Sequence, residues 1–424
     1  MQIALLTPLP PQNTGIADYV FHWLTGIKQD KNISITLFSN VSVDSVLNYP
    51  VHTITQINCT QLADFDLIIY HLGNNVQYHG YMLEIIKKYR GIIHLHDVVL
   101  HHLFAAKTYA EGHLDVYLTA IEKYYGQPQR DVFLARLHAN HVPWEDENIA
   151  NFPLFEEFVQ YADACIVHSD YALNKIKTAF PQLNTYSIPQ LYQLNPLINK
   201  QRNHCLQIGV FGGVDSQKKV DAIIKVLAGS RLQHHDFKLH IVGAISSPSC
   251  DFVHTLPQQL GIEDKVCVHG RVDEKTYSDL FNAVDLIIAL RHPTMGETSA
   301  VVMQALQLHI PVIVTDIGWY SELPDFIDKI AVDNLAQHLE NTLLNYFTSE
   351  SYLDEKIKAL KNYAENCLDF QHYIDNYKKI LAYQYNLKLN QILYKKFSHL
   401  FTDLTIVEDD RLLASCLTKI KEIF

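Results

Sequence analysis

The chain has 424 residues and a formal net charge of −12 at pH 7, with 48% hydrophobic and 19% charged residues. A chain of this length exceeds what one hydrophobic core supports, so we expect two domains with additional elements. The negative charge argues against a general nucleic-acid-binding protein, because such a protein needs a basic surface to displace counterions.

The seven cysteines are scattered, and none forms a CxxC pair. An odd number without paired spacing predicts neither a disulfide framework nor a zinc site, and it indicates a reducing, cytoplasmic compartment. The first residues, MQIALLTPLPP, lack the basic region and the cleavage site of a signal peptide, so we interpret them as a strand. No apolar run approaches the roughly 18 residues that a membrane-spanning helix needs.

Ten short runs rich in Ile, Val and Leu alternate with segments of helical periodicity. Such runs predict strands of parallel sheets buried on both faces, and the alternation predicts two doubly wound α/β sheets. Ligands of such sheets bind at the carboxyl ends of the strands. The predicted strands span residues 2–7, 33–38, 66–73, 91–96 and 164–169 in the first half, and 206–212, 237–243, 265–270, 285–290 and 311–316 in the second.

A polar, proline-bearing stretch at residues 188–205 predicts the domain boundary. We therefore expect an N-terminal domain at residues 1–195 and a C-terminal domain at residues 196–365. Residues 366–424 are predicted to form helices that cross back to the N-terminal domain. Residues 98–160, rich in histidine and aromatic residues, are predicted to form a helical insertion in the N-terminal domain.

Two predicted strand ends carry groups suited to binding a diphosphate. The first has Gly15 at the start of an amphipathic helix, where backbone N–H groups and the helix dipole favour an anion. The second places Gly212 and Gly213 before Lys218, whose ammonium group can neutralise a phosphate. A tight turn and a solvated lysine pair are the structural alternatives, because neither loop matches GxGxxG or a P-loop.

A third strand end carries the tetrapeptide Gly296-Glu297-Thr298-Ser299, directly before a nearly all-apolar segment at residues 300–308. Thr298 or Ser299 would be a good N-cap of a buried helix. A structural cap needs only one such residue, and here three polar side chains follow a glycine. Together with the two other loops, this pattern favours a binding site at the helix start.

These loops belong to segments that resemble a known family: LRHPTMGETSAVVMQALQLHIPVIVTDIGWYSELPD, PLPPQNTGIADY, YHLGNNVQYHG and HLHDVVLHHL. They resemble the GT-B glycosyltransferases, in particular a bacterial, "GETS"-bearing type of the retaining family-4-like enzymes (glycosyl transferases group 1). The resemblance covers roughly residues 1–385. It implies two Rossmann-like, doubly wound domains that face each other across a cleft, with the nucleotide sugar on the C-terminal domain.

The resemblance implies three catalytic residues: His96 near the reacting carbon of the donor sugar, Lys218 on the diphosphate and Glu297 on sugar hydroxyls. Further residues at the glycine loops, at the helix start and after the following strand are implied to bind the donor. They are Gly15, Gly212, Gly213, Arg291, Gly296, Thr298, Ser299, Gln304 and Glu322.

Three positions depart from the family pattern, and one of them is Glu297, which lies one residue late for the first position of the family's glutamate pair. Gly213 stands where the family has an arginine, which leaves Lys218, with Lys219 or Arg291, to supply positive charge. Gln304 stands at the second position of the family's glutamate pair, and a glutamine can hydrogen-bond a ribose diol only as a neutral group. The nucleotide and the sugar of the donor therefore stay open.

The resemblance implies a retaining, metal-independent hexosyltransferase without a cofactor. It would move a sugar from a nucleotide-diphosphate sugar to a glycan or lipid-linked acceptor of a bacterial surface glycan. A lysine and helix N-termini would stabilise the departing diphosphate electrostatically. The alternatives are a catalytically inactive GT-B scaffold, a nucleotide-sugar epimerase and a phosphorylase.

Two groups of residues could hold a metal ion, and we favour neither. Asp64 and Asp66 precede a predicted strand at its amino end, the wrong end for ligands, so we expect solvated carboxylates. Four histidines lie on and after the strand at residues 91–96, where roles on helix faces and at the donor are favoured over metal binding. They are His94, His96, His101 and His102.

The helical segments carry three further patterns. Aromatic residues of the insertion could stack on an acceptor, although their helical spacing favours a core role. The acidic run at residues 145–147 is interpreted as a helix cap. The amphipathic segment at residues 386–404 predicts docking on the body or on a partner chain, with attachment to the inner face of the membrane as the alternative. The aromatic residues are Tyr109, Tyr117, Tyr124, Tyr125 and Trp144.

Overall fold

The computed structural model describes residues 1–12, 14–42, 45–54, 59–194, 204–245 and 251–403. Two parallel sheets, one in each half of the chain, form the framework. The division that we predict between residues 195 and 196 lies outside the described residues and stays a prediction.

The first sheet contains β1 (Gln2–Leu6), β2 (Ser34–Ser39), β3 (Ser45–Val46), β4 (Tyr49–Thr53), β5 (Leu67–Leu72), β6 (Gly91–Leu95), β7 (Ala162–Val167) and β8 (Asn184–Ser187). Their order is β3-β4-β2-β1-β5-β6-β7-β8, and all neighbours are parallel except β3 and β4. The second sheet contains β9 (Leu206–Phe211), β10 (Phe237–Val242), β11 (Val266–Gly270), β12 (Leu286–Ala289), β13 (Val312–Thr315) and β14 (Asp328–Ile330). Its order is β11-β10-β9-β12-β13-β14, and all its pairs are parallel.

All ten predicted strands are present, with ends that differ by one or two residues. The four strands that we did not predict are β3, β4, β8 and β14. None of the side chains in β4 and β8 is fully buried, so these strands lack the apolar run that marks a buried strand in a sequence. The other two have only two or three residues.

Helices cover both faces of the sheets, as the alternation of the sequence predicts. They are α1 (Gly15–Ile27), α2 (Val76–His79), α3 (Met82–Lys88), α4 (His101–Lys107), α5 (Leu114–Tyr125), α6 (Gln127–His138), α7 (Glu156–Val159), α8 (Asp170–Ala179), α9 (Val220–Leu227), α10 (Phe252–Gln259), α11 (Glu274–Ala283), α12 (Ala300–Gln307), α13 (Leu335–Thr348), α14 (Glu350–Cys367) and α15 (Phe370–Asp403).

Four of the five aromatic residues of the insertion pack into or against the core of the N-terminal half, whereas Tyr109 is exposed. Tyr117 is fully buried, and its ring centroid lies 5.7 Å from that of Trp144. Tyr124 and Tyr125 pack against the same core, and Tyr109 stacks edge-on against Trp144. The core interpretation is therefore confirmed for Tyr117, which cannot reach an acceptor.

The acidic run does not cap a helix, which corrects our interpretation. Asp146 forms an ion pair with Arg136 near the end of α6 and accepts a hydrogen bond from His141 at 2.7 Å. These contacts fasten the loop after α6 to that helix. Glu145 ends a short 3-10 helix, Pro143–Glu145, whose N-cap is Val142, and Asn148 is the N-cap of the next one.

The last helix, α15, packs against α1 of the N-terminal half. The Tyr373 hydroxyl forms a hydrogen bond with the Tyr19 hydroxyl, and Ile374 lies against Gly26. Lys388 donates a hydrogen bond to the carbonyl oxygen of Asp66 at 2.7 Å, on the side of the sheet where β5 begins. Among the described residues, no helix is long and apolar enough to cross a membrane.

Candidate functional site

A cleft between the two sheets contains a cavity of about 640 Å³. The ends of β1, β5 and β6 border it from the N-terminal half, and the ends of β9 and β12 border it from the C-terminal half. All five are carboxyl ends, where parallel sheets bind ligands. The sites that we predicted at three separate strand ends therefore face one cavity.

The cleft brings together most of the residues predicted to act on a donor. Nothing lies within 4 Å of a Cβ atom built at Gly15, so the start of α1 is open to a ligand. Predicted residues that line the cavity are Gly15, His96, Gly213, Lys218, Arg291, Glu297, Thr298 and Ser299.

Lys218 lies on the C-terminal wall of the cavity. Its ammonium group donates a hydrogen bond to the carbonyl oxygen of Phe211 at 2.6 Å, and burial together with the Arg291 charge lowers its pKa to about 7. Asp215 accepts hydrogen bonds from the N–H groups of Gln217 and Lys218, both at 3.0 Å, and thereby fixes the loop. Because the pKa of this buried lysine is lowered, a nearby anionic ligand would favour its protonated, charged form.

Gly212 does not line the cavity, but it is required behind Lys218. It has a φ of +86°, and a Cβ atom there would lie 2.5 Å from the lysine Nζ. A larger residue would therefore be strained and would displace the ammonium group. The glycine supports the predicted phosphate contact indirectly.

Glu297 is engaged by its own loop. Its Oε1 lies 2.8 Å from Nε of Arg291, and its Oε2 accepts hydrogen bonds from the Met295 N–H at 2.7 Å and the Thr294 hydroxyl at 3.1 Å. Both oxygens thus hold the segment that precedes α12. The geometry supports an organising role for Glu297 and leaves the predicted sugar contact to neighbouring groups.

Ser299 is the N-cap of α12, and its side chain accepts a hydrogen bond from the Val302 N–H at 3.3 Å. Thr298 makes no such cap and lines the cavity next to it. The structural interpretation therefore holds for Ser299, and the functional interpretation stays a prediction that fits a capped helix beginning at the cavity.

Besides Gly212, three further predicted donor residues lie away from the cavity lining: Gly296, Gln304 and Glu322. A Cβ atom at Gly296 would lie 2.1 Å from Cγ1 of Val98, so this glycine permits the two halves to approach closely. The Glu322 carboxylate accepts hydrogen bonds from the backbone N–H groups of Asp170, at 3.0 Å, and of Tyr171. It therefore caps α8 of the opposite half instead of facing the cavity.

The His96 imidazole lines the cavity, but both of its ring nitrogens face other histidines. Its Nε2 lies 2.9 Å from Nδ1 of His71, and its Nδ1 lies 3.1 Å from Nε2 of His168. His94 joins the same cluster, whereas His101 bonds with Tyr117 elsewhere. The four histidines that we grouped by sequence thus do not form one cluster, since strand order brings in His71 and His168 instead.

Solved structures resemble about nine tenths of the chain in fold. Anabaena Alr3699/HepE in complex with UDP and glucose has a TM-score of 0.61 and 15% identity, over 90% of this chain and 99% of that one. Sucrose-phosphate synthase (tll1590) from Thermosynechococcus elongatus has a TM-score of 0.61 and 12% identity, over 91% and 99%. WaaG, involved in lipopolysaccharide biosynthesis, has a TM-score of 0.59 and 15% identity, over 89% and 99%. The chain has the GT-B fold.

The C-terminal half of this GT-B protein matches the model of the family Glycosyl transferases group 1 over residues 196–366. The uncharacterized glycosyltransferase MJ1607 of Methanocaldococcus jannaschii is 26% identical over 156 residues, which are 35% of this chain and 38% of that protein. The chain thus spans about two fifths of the length of this curated relative. These matches confirm the predicted enzyme class, a transferase, for the matched domain.

The N-terminal wall of the GT-B cleft contains polar residues that the sequence analysis missed. Asp97 accepts a hydrogen bond from the Asn74 N–H at 2.8 Å, and burial raises its pKa to about 6. Tyr78 and Gln190 line the same wall. Asp97 and Asn74 follow β6 and β5 by two residues, so their position after predicted strands is the signal that could have found them.

Proposed function

We propose that this GT-B protein is a retaining, metal-independent hexosyltransferase that moves a sugar from a nucleotide-diphosphate sugar to a glycan or lipid-linked acceptor. The observation that carries the proposal is the convergence of Lys218, Arg291 and the start of α12 on one cavity. Such a convergence of positive charge and helix dipole suits a diphosphate.

The charge of the departing nucleoside diphosphate explains why the cavity needs a lysine and a helix amino end. When the bond between the anomeric carbon and the phosphate oxygen breaks, negative charge develops on the nucleoside diphosphate. Lys218, protonated when the anion binds, and the amino end of α12 would stabilise that charge without a metal ion. Thr298 lies next to the start of this helix, where its hydroxyl can donate to a phosphate oxygen.

The acceptor side of the reaction fits the polar N-terminal wall. Asn74, Tyr78 and Gln190 offer hydrogen-bonding groups of the kind that bind sugar hydroxyls. Retention follows, by resemblance to the family, if the acceptor oxygen attacks from the side of the departing phosphate. The acceptor oxygen then forms the new glycosidic bond, and its proton passes to a phosphate oxygen.

The other parts of the proposal concern partners and location. HepE holds UDP and glucose, and WaaG acts in lipopolysaccharide biosynthesis, so UDP-glucose and a bacterial surface glycan are our first choices for donor and pathway. We propose a cytoplasmic location, with α15 as the element that contacts a second copy or the inner face of the membrane.

An inactive GT-B scaffold is the second candidate, and one observation favours it. Both oxygens of Glu297 are engaged by its own loop, and Gln304 stands where the family has a carboxylate and lies off the cavity lining. A scaffold would bind a nucleotide sugar without turning it over.

The test combines a thermal-shift screen of nucleotide sugars with an assay of donor turnover. Ligand binding to the native state raises the apparent stability, which identifies the donor. We expect Lys218→Ala to lower kcat/KM by about 100-fold, as for loss of a charge that acts in the transition state. Lys219→Ala, next to it and off the cavity lining, should stay within about threefold.

The outcomes separate the two candidates. A near-wild-type rate for Lys218→Ala contradicts the transferase site. Tight binding of a nucleotide sugar without turnover, in the presence of glycan and lipid-linked acceptors, favours the scaffold.

A further inference from the structure

Four buried histidines form one cluster behind the cleft. His71 lies in β5, His94 in β6, and His96 and His168 directly follow β6 and β7. His71 and His94 have no exposed surface, and His168 and His96 are 6% and 8% exposed. Nitrogen atoms of His71, His94 and His96 lie within 4.8 Å of one another.

Two nitrogen atoms of the cluster, one from His94 and one from His96, approach the same nitrogen of the His168 ring. Its Nε2 lies 3.2 Å from Nε2 of His94 and 3.1 Å from Nδ1 of His96. Its Nδ1 lies 3.1 Å from the carbonyl oxygen of Ile188, which can only accept, so Nδ1 carries the proton of the neutral ring. Nε2 is therefore left with one lone pair in the ring plane.

One lone pair cannot accept two well-aligned hydrogen bonds. If His94 and His96 both direct N–H groups at Nε2 of His168, they compete for the same electrons. If either of them directs an unprotonated nitrogen at Nε2 of His168, two lone pairs face each other. An additional proton would relieve the conflict only by placing a positive charge among three buried rings, which is costly.

We propose that the cluster binds one divalent cation of the zinc class through Nε2 of His94, Nδ1 of His96 and Nε2 of His168. A cation accepts all three lone pairs at once. Two nitrogen ligands of a tetrahedral zinc ion, each about 2.0–2.1 Å from the metal, lie about 3.3 Å apart. The distances from Nε2 of His168 to Nε2 of His94 and to Nδ1 of His96, 3.2 and 3.1 Å, are close to that value.

The outer nitrogen of each ligand has a partner, as is usual for histidines that bind metals. Nδ1 of His94 lies 3.0 Å from the Tyr377 hydroxyl. Nε2 of His96 lies 2.9 Å from Nδ1 of His71, and Nδ1 of His168 faces the carbonyl oxygen of Ile188. His71 is thus an outer partner, because it contacts the nitrogen of His96 that points away from His168.

Ligand type indicates the class of cation and its role. Imidazoles suit zinc, nickel and copper, whereas magnesium and calcium prefer oxygen ligands. His96 also lines the cleft, which gives the cation a path of entry. The ion would tie β6 to β7 and fix the wall of the cleft, and the diphosphate chemistry of the proposed function does not use it.

Metal binding by the full chain tests the proposal. The protein is stripped with a chelator, dialysed, incubated with one equivalent of Zn²⁺ or Co²⁺ and passed through a desalting column. We expect about one metal ion retained per chain, an intense visible absorption from Co²⁺ in a tetrahedral site, and a rise in Tm with Zn²⁺. The double variant His94→Gln/His168→Gln should retain at least about tenfold less metal.

His101→Gln is the matched control, since His101 is also fully buried and bonded through both nitrogens, to Phe152 and Tyr117. It should keep the metal. The proposal is overturned if the wild-type chain retains no more metal than the double variant. If the double variant fails to fold, the wild-type titration decides alone: a wild-type chain that shows no metal retention and no rise in Tm overturns the proposal. No step measures turnover, so failure here is distinct from failure of the proposed function.

Discussion

Lys218 combines a buried position with a pKa lowered to about 7, by burial first and by the Arg291 charge second. Below that pH it is protonated, and above it the free protein loses the charge that an anion needs. We expect the affinity for a nucleotide sugar, whose diphosphate diester does not titrate near neutrality, to fall as pH rises above 7, by up to about tenfold per pH unit. Calorimetry from pH 6 to 9 measures this, and Lys218→Arg, always charged, should flatten the profile. A flat wild-type profile contradicts it.

Glu297 and Arg291 form an ion pair in which both side chains are less than one fifth exposed, at 14% and 17%. Removal of Glu297 leaves the largely buried Arg291 charge with Asp215, at 3.4 Å, as a carboxylate partner, so we expect a cost below the roughly 3 kcal/mol of an unpaired buried charge. We expect Glu297→Ala to lower kcat/KM at least about 100-fold and also to lower the free energy of unfolding, because the segment before α12 loses its anchor. Urea denaturation and kinetics measure both effects. Wild-type stability with lost activity would instead indicate direct contact with the sugar.

The crossing of α1 and α15 depends on one glycine. A Cβ atom at Gly26 would lie 2.6 Å from Cδ1 of Ile374, which has no exposed surface. We expect Gly26→Ala to destabilise the protein by about 1–3 kcal/mol through overpacking. Ile374→Ala removes the obstructing atoms at its own cost of about 2–5 kcal/mol. A double-mutant cycle should show the pair to be less destabilising than the sum, and strict additivity would contradict the contact.

The two halves of the molecule are joined across the cleft by Glu322, which caps α8 from the opposite domain, and by the Val99 N–H, which donates to the carbonyl oxygen of Met295 at 3.0 Å. We expect Glu322→Ala to cost about 1 kcal/mol and to shift the molecule toward an open cleft, with a larger radius of gyration and a higher KM for the donor. Ser169→Ala removes a cap of the same helix from within its own domain. X-ray scattering should show opening for the first variant alone, and equal opening in both contradicts the bridging role.

Local patterns predicted much of this molecule. The ten buried strands were predictable because a strand that is buried on both faces is itself a run of consecutive apolar residues. Residues 300–308 were predictable as a helix because Ser299 is a good cap before an apolar segment. Asp97 was missed although it follows a predicted strand, since a single carboxylate carries no pattern of its own.

The sequence by itself determined the two doubly wound α/β sheets and their carboxyl-end loops, because these depend on periodicity and on neighbours along the chain. The GT-B class and the lysine of the proposed phosphate site were implied by the resemblance of local segments to a known family. Only the tertiary structure decided the roles of Glu322 and His96. Glu322 caps a helix of the other domain, and its partner is fixed by how the two sheets face each other. His96 joins His71 and His168 because β6 lies between β5 and β7, and strand order is set by the packing of the whole sheet.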